Sequence, residues 1–433
     1  MRILQLTPGT GSFFCGSCLR DNALARALIA AGHDVLLTPL YLPFQLEDGP
    51  EQGAAGAEAP VRMGGINMYL QQKLGRLGRL PRFLARALDS PKLLRWASSR
   101  SNMTDAAALG EMTLSMLRGE EGRQAAELDQ LVSWLGSIEP PDVVLLSNAM
   151  LIGLARRIKA EVGAPIVSTL QGEAPFLDAL AAPYSEACWA ELRERAQELD
   201  AFLAVSRYTA DLMGERMAIP AERLHVVHNG IDLEGLEPRS RDTRRDGAPT
   251  IGYLARLCTD KGIDRLVDTF LELRRRGRVP GVRLVAGGVV LAEDRPLLAE
   301  LERRIAREGA SEDVEFRANL TREEKLELLG SIDVLSVPAL YGESFGLYLL
   351  EAMACGVPVV EPRHGGLTEV VEATGGGLLF EADDQAGWCD ALEELLLDDG
   401  RREALGAAGR AAVVERFQSA RMASDVERIC GAL

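Results

Sequence analysis

Apolar positions follow two alternating rhythms along this chain. Short runs at Ile3–Leu6, Val35–Leu37, Val143–Leu146, Ile166–Thr169 and Phe202–Val205 have the length and aliphatic content of buried strands. Between them lie stretches with helical spacing. Leu19 to Ala31 is one, closed by Gly32, and others start near Leu151, Glu186 and Tyr208. Strand, Gly/Ser-rich loop over residues 7–17, helix and strand make a βαβ opening, which predicts a parallel sheet covered by helices. His225 to Asp232 reads as a last strand and turn, and residues 232–248 then lose all apolar period, as a linker does. The pattern restarts at Thr250–Leu254 and runs through Val282–Ala286, Val314–Phe316, Val334–Val337 and Val357–Val360.

A chain of 433 residues is too long for one ordinary core and suits two of about 200 residues each. The expected class is therefore α/β, with two Rossmann-like, doubly wound domains facing across a cleft. Sites belong at the carboxyl ends of their strands. Residues 1–235 form the first domain and 236–410 the second. An atypical insertion at 45–130 breaks the rhythm. Within it, residues 71–100 carry eight Lys/Arg and one acid, Asp89, interleaved with Leu74, Phe83 and Trp96. A basic amphipathic element suits peripheral contact with an anionic membrane or a lipid-linked acceptor. A docked helix pair with its cations in water fits as well, because Gly75, Gly78, Pro81 and Pro91 cut the segment short.

Charge and composition narrow the class. A net charge of −16 excludes a general nucleic-acid binder, which needs a basic footprint. Nothing approaches 18 uninterrupted apolar residues, and the N-terminal apolar run is too short for a signal peptide, so a cytoplasmic, at most membrane-peripheral, protein is expected. Seven scattered cysteines fit reduced thiols. Cys15 and Cys18 are close, but without a second Cys/His pair they read as structural.

The chemistry concentrates in the second half. Glu343 and Glu351, with seven residues between them, bracket a Gly-containing turn and an apolar run that leads to a Cys-Gly-Val-Pro break. A helix starting near Phe345–Gly346 would aim unpaired N–H groups of residues 345–347 at an anion, with one carboxylate before its first turn and one inside it. Arg256 and Lys261, five apart after the first strand of this half, place two cations within reach of one diphosphate. Taken by itself, however, this pair reads as part of a surface loop. Gly365 and Gly366 permit close backbone approach to a ligand, and Glu369 lies early in the following helix.

The run from Glu343 through Glu351 to Val360 resembles the donor-site hallmark of the retaining GT-B glycosyltransferases of family 4, the glycosyl transferases group 1 type. Gly252–Gly262, the Gly365–Gly366 element and the hinge-like His225–Asp232 agree with that family. The resemblance implies transfer of a hexose-type sugar from a nucleotide-sugar donor to an unidentified saccharide, lipid-linked or small-molecule acceptor. It assigns Glu343, Arg256 and Lys261 to catalysis. It assigns Glu351, Gly16, Phe345, Gly346, Leu347, Gly365 and Gly366 to the donor. Residues 411–433 are expected to cross back to the first domain. No cofactor is implied, and no metal, since the chain lacks the Asp-x-Asp that would bridge a metal to a diphosphate. Three positions depart from the family. Cys15 replaces the first glycine of a Gly-Gly loop, Gln171 stands where a histidine faces the sugar, and Asn148 stands where another histidine is frequent. Gln171, Glu173 and Asn148 are the acceptor-side candidates. The alternative is a non-catalytic GT-B scaffold that binds nucleotide sugars.

Overall fold

The computed structural model describes residues 1–9, 16–42, 63, 106–238 and 247–433. The insertion's basic segment 71–100, Cys15, and the middle of the 232–248 linker lie outside the described residues. The chain divides into two compact units. Unit 1 is Met1–Gly230 with Ser419–Leu433, and unit 2 is Ile231–Gln418.

Unit 1 is built on β1 (Arg2–Thr7), β2 (Asp34–Pro39), β3 (Val143–Leu146), β4 (Ile166–Leu170), β5 (Ala201–Ala204) and β6 (Leu224–Val226). All five pairings are parallel, in the order β2-β1-β3-β4-β5-β6. Successive strand side chains leave by opposite faces, so each strand feeds two cores. Ile3, Val143, Leu145 and Val167 pack with Leu24 and Leu28 of helix α1 (Gly16–Ala30) and with Met422 and Val426 of the C-terminal helix Ser419–Cys430. Leu4, Leu6, Val144 and Leu146 serve the opposite core.

Unit 2 repeats the plan with β7 (Thr250–Leu254), β8 (Arg283–Gly288), β9 (Val314–Ala318), β10 (Val334–Leu335), β11 (Val359–Pro362) and β12 (Gly377–Phe380). The order β12-β11-β10-β7-β8-β9 is again wholly parallel. Strand β11 begins two residues later than its apolar run suggests. Pro358 has no N–H to give a ladder, and its carbonyl instead accepts from Leu335 N at 3.0 Å. β12 escaped the sequence reading, because Gly375-Gly376-Gly377 ahead of Leu378-Leu379-Phe380 looks like a turn. The segment near Leu151 is a 3₁₀ turn over Ala149–Leu154, with the α-helix starting only at Ala155.

Each sheet therefore has one place where the winding direction reverses. In unit 1 it lies between β1 and β3, and in unit 2 between β7 and β10. Loops leaving the two strands at such a reversal diverge and open a crevice.

Candidate functional site

At the unit 2 reversal the loop after β7 meets the loop after β10. The first ends in the 3₁₀ turn Thr259–Lys261 and then Gly262, at φ +72°, where a Cβ would stand 2.1 Å from the Pro338 carbonyl oxygen. Only glycine lets these loops touch. Buried Tyr253 holds the first loop from below, donating its hydroxyl to the Arg256 carbonyl at 2.7 Å. Lys261 Nζ then forms a short, half-buried ion pair with Glu343 Oε2 and lies 5.0 Å from the Tyr341 ring centroid. Burial lowers the Lys261 pKa, but Glu343 and Tyr341 outweigh it and the net shift is upward. The ammonium is fully charged at neutral pH.

Glu343 precedes helix α2 (Leu347–Ala354), whose N-cap is Gly346 at φ +80°. That angle carries Phe345 inward, where its ring lies 6.2 Å from Phe417. The loop is clamped by the start of helix α3 (Gly365–Thr374), since Gly366 N donates to the Glu343 carbonyl at 2.7 Å. A Cβ on Gly366 would come 2.2 Å from the Ser344 carbonyl oxygen, and one on Gly365 2.6 Å from that of Glu343. The space these two glycines leave is thus filled by the chain's own 343–344 backbone.

Arg256 points elsewhere. Its Nε and Nη2 each lie 2.9 Å from the Asp294 carboxylate, a two-point grip, and Nη2 also meets Glu293. Burial lowers its pKa, yet Asp294 and Glu293 raise it further. Glu351, on α2, is paired with Lys325 at 2.8 Å. The two expected cations therefore hold carboxylates, Lys261 with Glu343 and Arg256 with Asp294. Beneath them is Glu361, wholly buried at the end of β11. Its Oε1 accepts from Val337 N at 3.0 Å, while Oε2 and the nearby Tyr348 hydroxyl have no partner among the described residues. Burial pushes the Glu361 pKa well above the ordinary carboxylic range.

In unit 1 the crevice is walled by hydroxyl groups. On the α1 face, Thr7, Ser147 and Thr169 follow the apolar Ile3, Leu145 and Val167 at the strands' carboxyl ends. Arg20 and Asp21 of α1 lie over them. Arg20 Nη1 reaches Asp21 Oδ1 and Thr169 Oγ1, both at 3.2 Å, and its Nε reaches Asn229 Oδ1 at 3.3 Å. Asp21 Oδ2 accepts a short hydrogen bond from Ser147 Oγ.

The family described as Glycosyltransferase Family 4 matches residues 22–234, and that described as Glycosyl transferases group 1 matches 237–412. A GDP-mannose-dependent alpha-(1-6)-phosphatidylinositol monomannoside mannosyltransferase of Mycolicibacterium smegmatis is 30% identical over 382 residues, which cover 83% of this chain and 92% of that protein. The chain belongs to the group 1 glycosyltransferases. A D-inositol 3-phosphate glycosyltransferase of Xylanimonas cellulosilytica is 35% identical over 241 residues, about half of either chain (53% and 52%). Among solved structures, Anabaena HepE in complex with UDP and glucose aligns over all of both chains with a TM-score of 0.70 at 18% identity, which establishes a shared GT-B fold.

In this glycosyltransferase the donor residues named from sequence, Arg256 to Gly366, all lie inside the 237–412 match. Gly16, the first residue of α1, precedes the 22–234 match. The acceptor-side candidates adjoin one another. Gln171 Nε2 donates to the Ser147 carbonyl at 2.7 Å. Glu173, buried rather than on a surface loop, accepts from Ala149 N at 2.9 Å and Gln171 N at 2.7 Å. Asn148 caps the 3₁₀ turn by accepting from Met150 N at 3.0 Å. All three side chains hold the β3 and β4 loops in place. Sequence reasoning missed Asp294, Lys325, Glu361 and the Arg20–Asp21 pair. Glu361 did leave a signal, a charge directly after the β-branched run Val359-Val360, and so did Arg20-Asp21, two charges in the first turns of a helix whose apolar face is buried.

No helix among the described residues is long and apolar enough to cross a membrane.

Proposed function

We propose that this chain is a retaining, metal-independent glycosyltransferase moving a hexose from a nucleoside diphosphate sugar to a hydroxyl acceptor. The observation that carries this reading is the Lys261–Glu343 pair at the unit 2 reversal, in the segment that matches the group 1 family. An arriving diphosphate would take up the Lys261 ammonium, freeing the Glu343 carboxylate to accept hydrogen bonds from sugar hydroxyls. The first N–H groups of α2 add positive potential there, and Arg256 would join them only by leaving Asp294 and Glu293. Together they supply charge that a divalent ion otherwise provides. Glu351, oriented by Lys325, is suited to the ribose hydroxyls.

The bond between the anomeric carbon and the diphosphate oxygen breaks as the acceptor oxygen bonds to the same face of that carbon. The acceptor's proton passes to the departing phosphate oxygen. No protein base is needed, in keeping with Gln171 and Asn148 at the positions where relatives carry histidine.

Both named relatives act on acceptors carrying an inositol phosphate unit, so phosphorylated polyols, free or lipid-linked, are the acceptor class to test first. A thermal-shift panel of UDP-, GDP- and ADP-sugars identifies the donor. Transfer is then followed in EDTA, with the anomeric configuration of the product read by NMR. Glu351→Ala should chiefly raise donor KM, and Glu343→Ala should depress kcat. Full activity in both variants would refute the assignment, and an inverted product or a strict metal requirement would refute the mechanism.

A further inference from the structure

We propose that Arg20 is the recognition group for an anionic oxygen, phosphate or carboxylate, bound at the reversal point of the unit 1 sheet. Calling the ligand an acceptor rests on the function proposed above; the anion site itself does not.

Arginine carries five N–H donors in a rigid fork. The Nε donor of Arg20 goes to Asn229 and those of Nη1 to Asp21 and Thr169. Among the described residues Nη2 has no partner, although the side chain is almost wholly buried. A buried cationic donor left unpaired costs more than a neutral one, and native interiors keep few such groups without a reason. A strut tying α1 to the strand ends would need only Nε and Nη1. The spare edge of the fork is the part that a structural role leaves over.

Its position is where doubly wound sheets bind ligands. Thr7 ends β1 and Ser147 directly follows β3, the two strands that flank the reversal, and Thr169 is the last residue but one of β4. Gln5 Nε2 fixes the helix by donating to the Asp21 carbonyl at 3.2 Å, and Gln5 Oε1 is a second unpartnered polar atom on the same face.

The charge balance selects the ligand class. Among the described residues Asp21 is the one carboxylate ion-paired with Arg20, and it is shared with Ser147 and Thr7. Burial works against both charges of the pair, raising the Asp21 pKa and lowering that of Arg20. An anionic oxygen on Nη2 completes the hydrogen bonding of the fork. Guanidinium geometry suits the planar edges of phosphate and carboxylate, which a lysine ammonium would not reproduce.

The test uses the full chain with its unit 2 site saturated by whichever nucleoside diphosphate stabilises it most. Inorganic phosphate is titrated by calorimetry, and the Arg20 Nε–H resonance, assigned from Arg20→Lys, is followed by NMR. Expected are a saturable shift of that resonance and a loss of affinity of roughly tenfold or more in Arg20→Gln, with Arg20→Lys between the two and nucleotide affinity unchanged. Soluble inositol monophosphate and phosphatidylinositol vesicles, against phosphatidylcholine vesicles, separate a free from a lipid-borne source. If Arg20→Gln does not fold, the wild-type resonance decides. A resonance unmoved by phosphate, inositol phosphate and vesicles overturns the proposal, as does equal phosphate affinity in a folded Arg20→Gln. Failure of every nucleoside diphosphate to bind would instead remove the donor reading, and the Arg20 titration would still be read without nucleotide in a Lys261→Ala background.

Discussion

The two sheets share one winding plan, and each puts a cation–carboxylate pair at its reversal point, yet the pairs are built in opposite ways. Arg20 and Asp21 are neighbours on one helix, with side chains 1% and 0% exposed, tied to three strand ends and Asn229. Lys261 and Glu343 come from loops 82 residues apart and keep 20% and 15% of their side chains exposed. A sealed pair exchanges little with solvent and ties α1 to the strand ends, with Arg20 Nη2 the one donor group left over among the described residues. A half-open pair can trade partners when a charged ligand arrives. Burial thus separates a pair that organises the unit 1 crevice from one that can take part in chemistry.

The largest test of that contrast is to break the sealed pair. Asp21→Ala leaves a buried guanidinium without its counter-charge and strands Ser147 Oγ, so stability should fall by about 3–5 kcal/mol. Urea midpoints measure it, and a loss below about 1 kcal/mol would mean that water reaches the pair. Lys261→Ala should do the reverse, with little change in stability and a fall of roughly 10²–10³-fold in kcat/KM for the cognate donor. If Lys261→Ala unfolds the protein while Asp21→Ala leaves it intact, the roles assigned to the two pairs are exchanged.

This contrast explains what the sequence disclosed. Both windings were legible, because the strand runs and glycine-capped helices repeat at regular intervals and parallel strands buried on both faces are nearly pure Val, Leu and Ile. The meeting of the loops that carry Lys261 and Glu343 was legible as well, since local glycines and a helix start mark the places where loops touch. Arg20–Asp21 was not, because its partners Thr7, Ser147, Thr169 and Asn229 are scattered over more than two hundred residues and only the sheet order brings them together. The partner of Arg256 was misplaced for the same reason. Asp294 lies on the loop after β8, and nothing local announces the two-point grip.

A third prediction compares two sealed carboxyls. Asp21 has a guanidinium beside it, whereas Glu361 has one backbone N–H and an unpartnered Oε2, with Lys261, Glu343 and Tyr348 as its charged and titratable neighbours. Burial raises the Glu361 pKa well above the ordinary 4.5. A carboxyl raised in the folded state contributes stability that is complete below the unfolded pKa and lost as pH rises through the folded one. Wild type should therefore lose stability relative to Glu361→Gln as pH climbs from about 4.5, and the two should converge in acid. Urea midpoints across pH 4 to 9 check this. Parallel curves would mean that Glu361 is ionised and compensated in the fold.

The smallest expected effect concerns Lys325 and Glu351, the second half-open pair of unit 2. Their separation is 2.8 Å, and their side chains keep 10% and 20% exposure, so the pair itself contributes about 1 kcal/mol or less. Its importance lies in direction. If Glu351 takes the donor's ribose as proposed, the Lys325 ammonium on its Oε1 would hold the carboxylate in place and leave Oε2 for the sugar hydroxyls. Replacing Lys325 by Met keeps much of the stem and removes the charge. Donor KM should then rise by a few-fold at constant kcat, the signature of lost uniform binding. The opposite result is equally informative. If Lys325 competes with the ribose for Glu351, removing it releases both carboxylate oxygens and donor KM falls. That would make Lys325 a placeholder like Lys261, and half-open pairs in unit 2 would be exchangeable sites as a class.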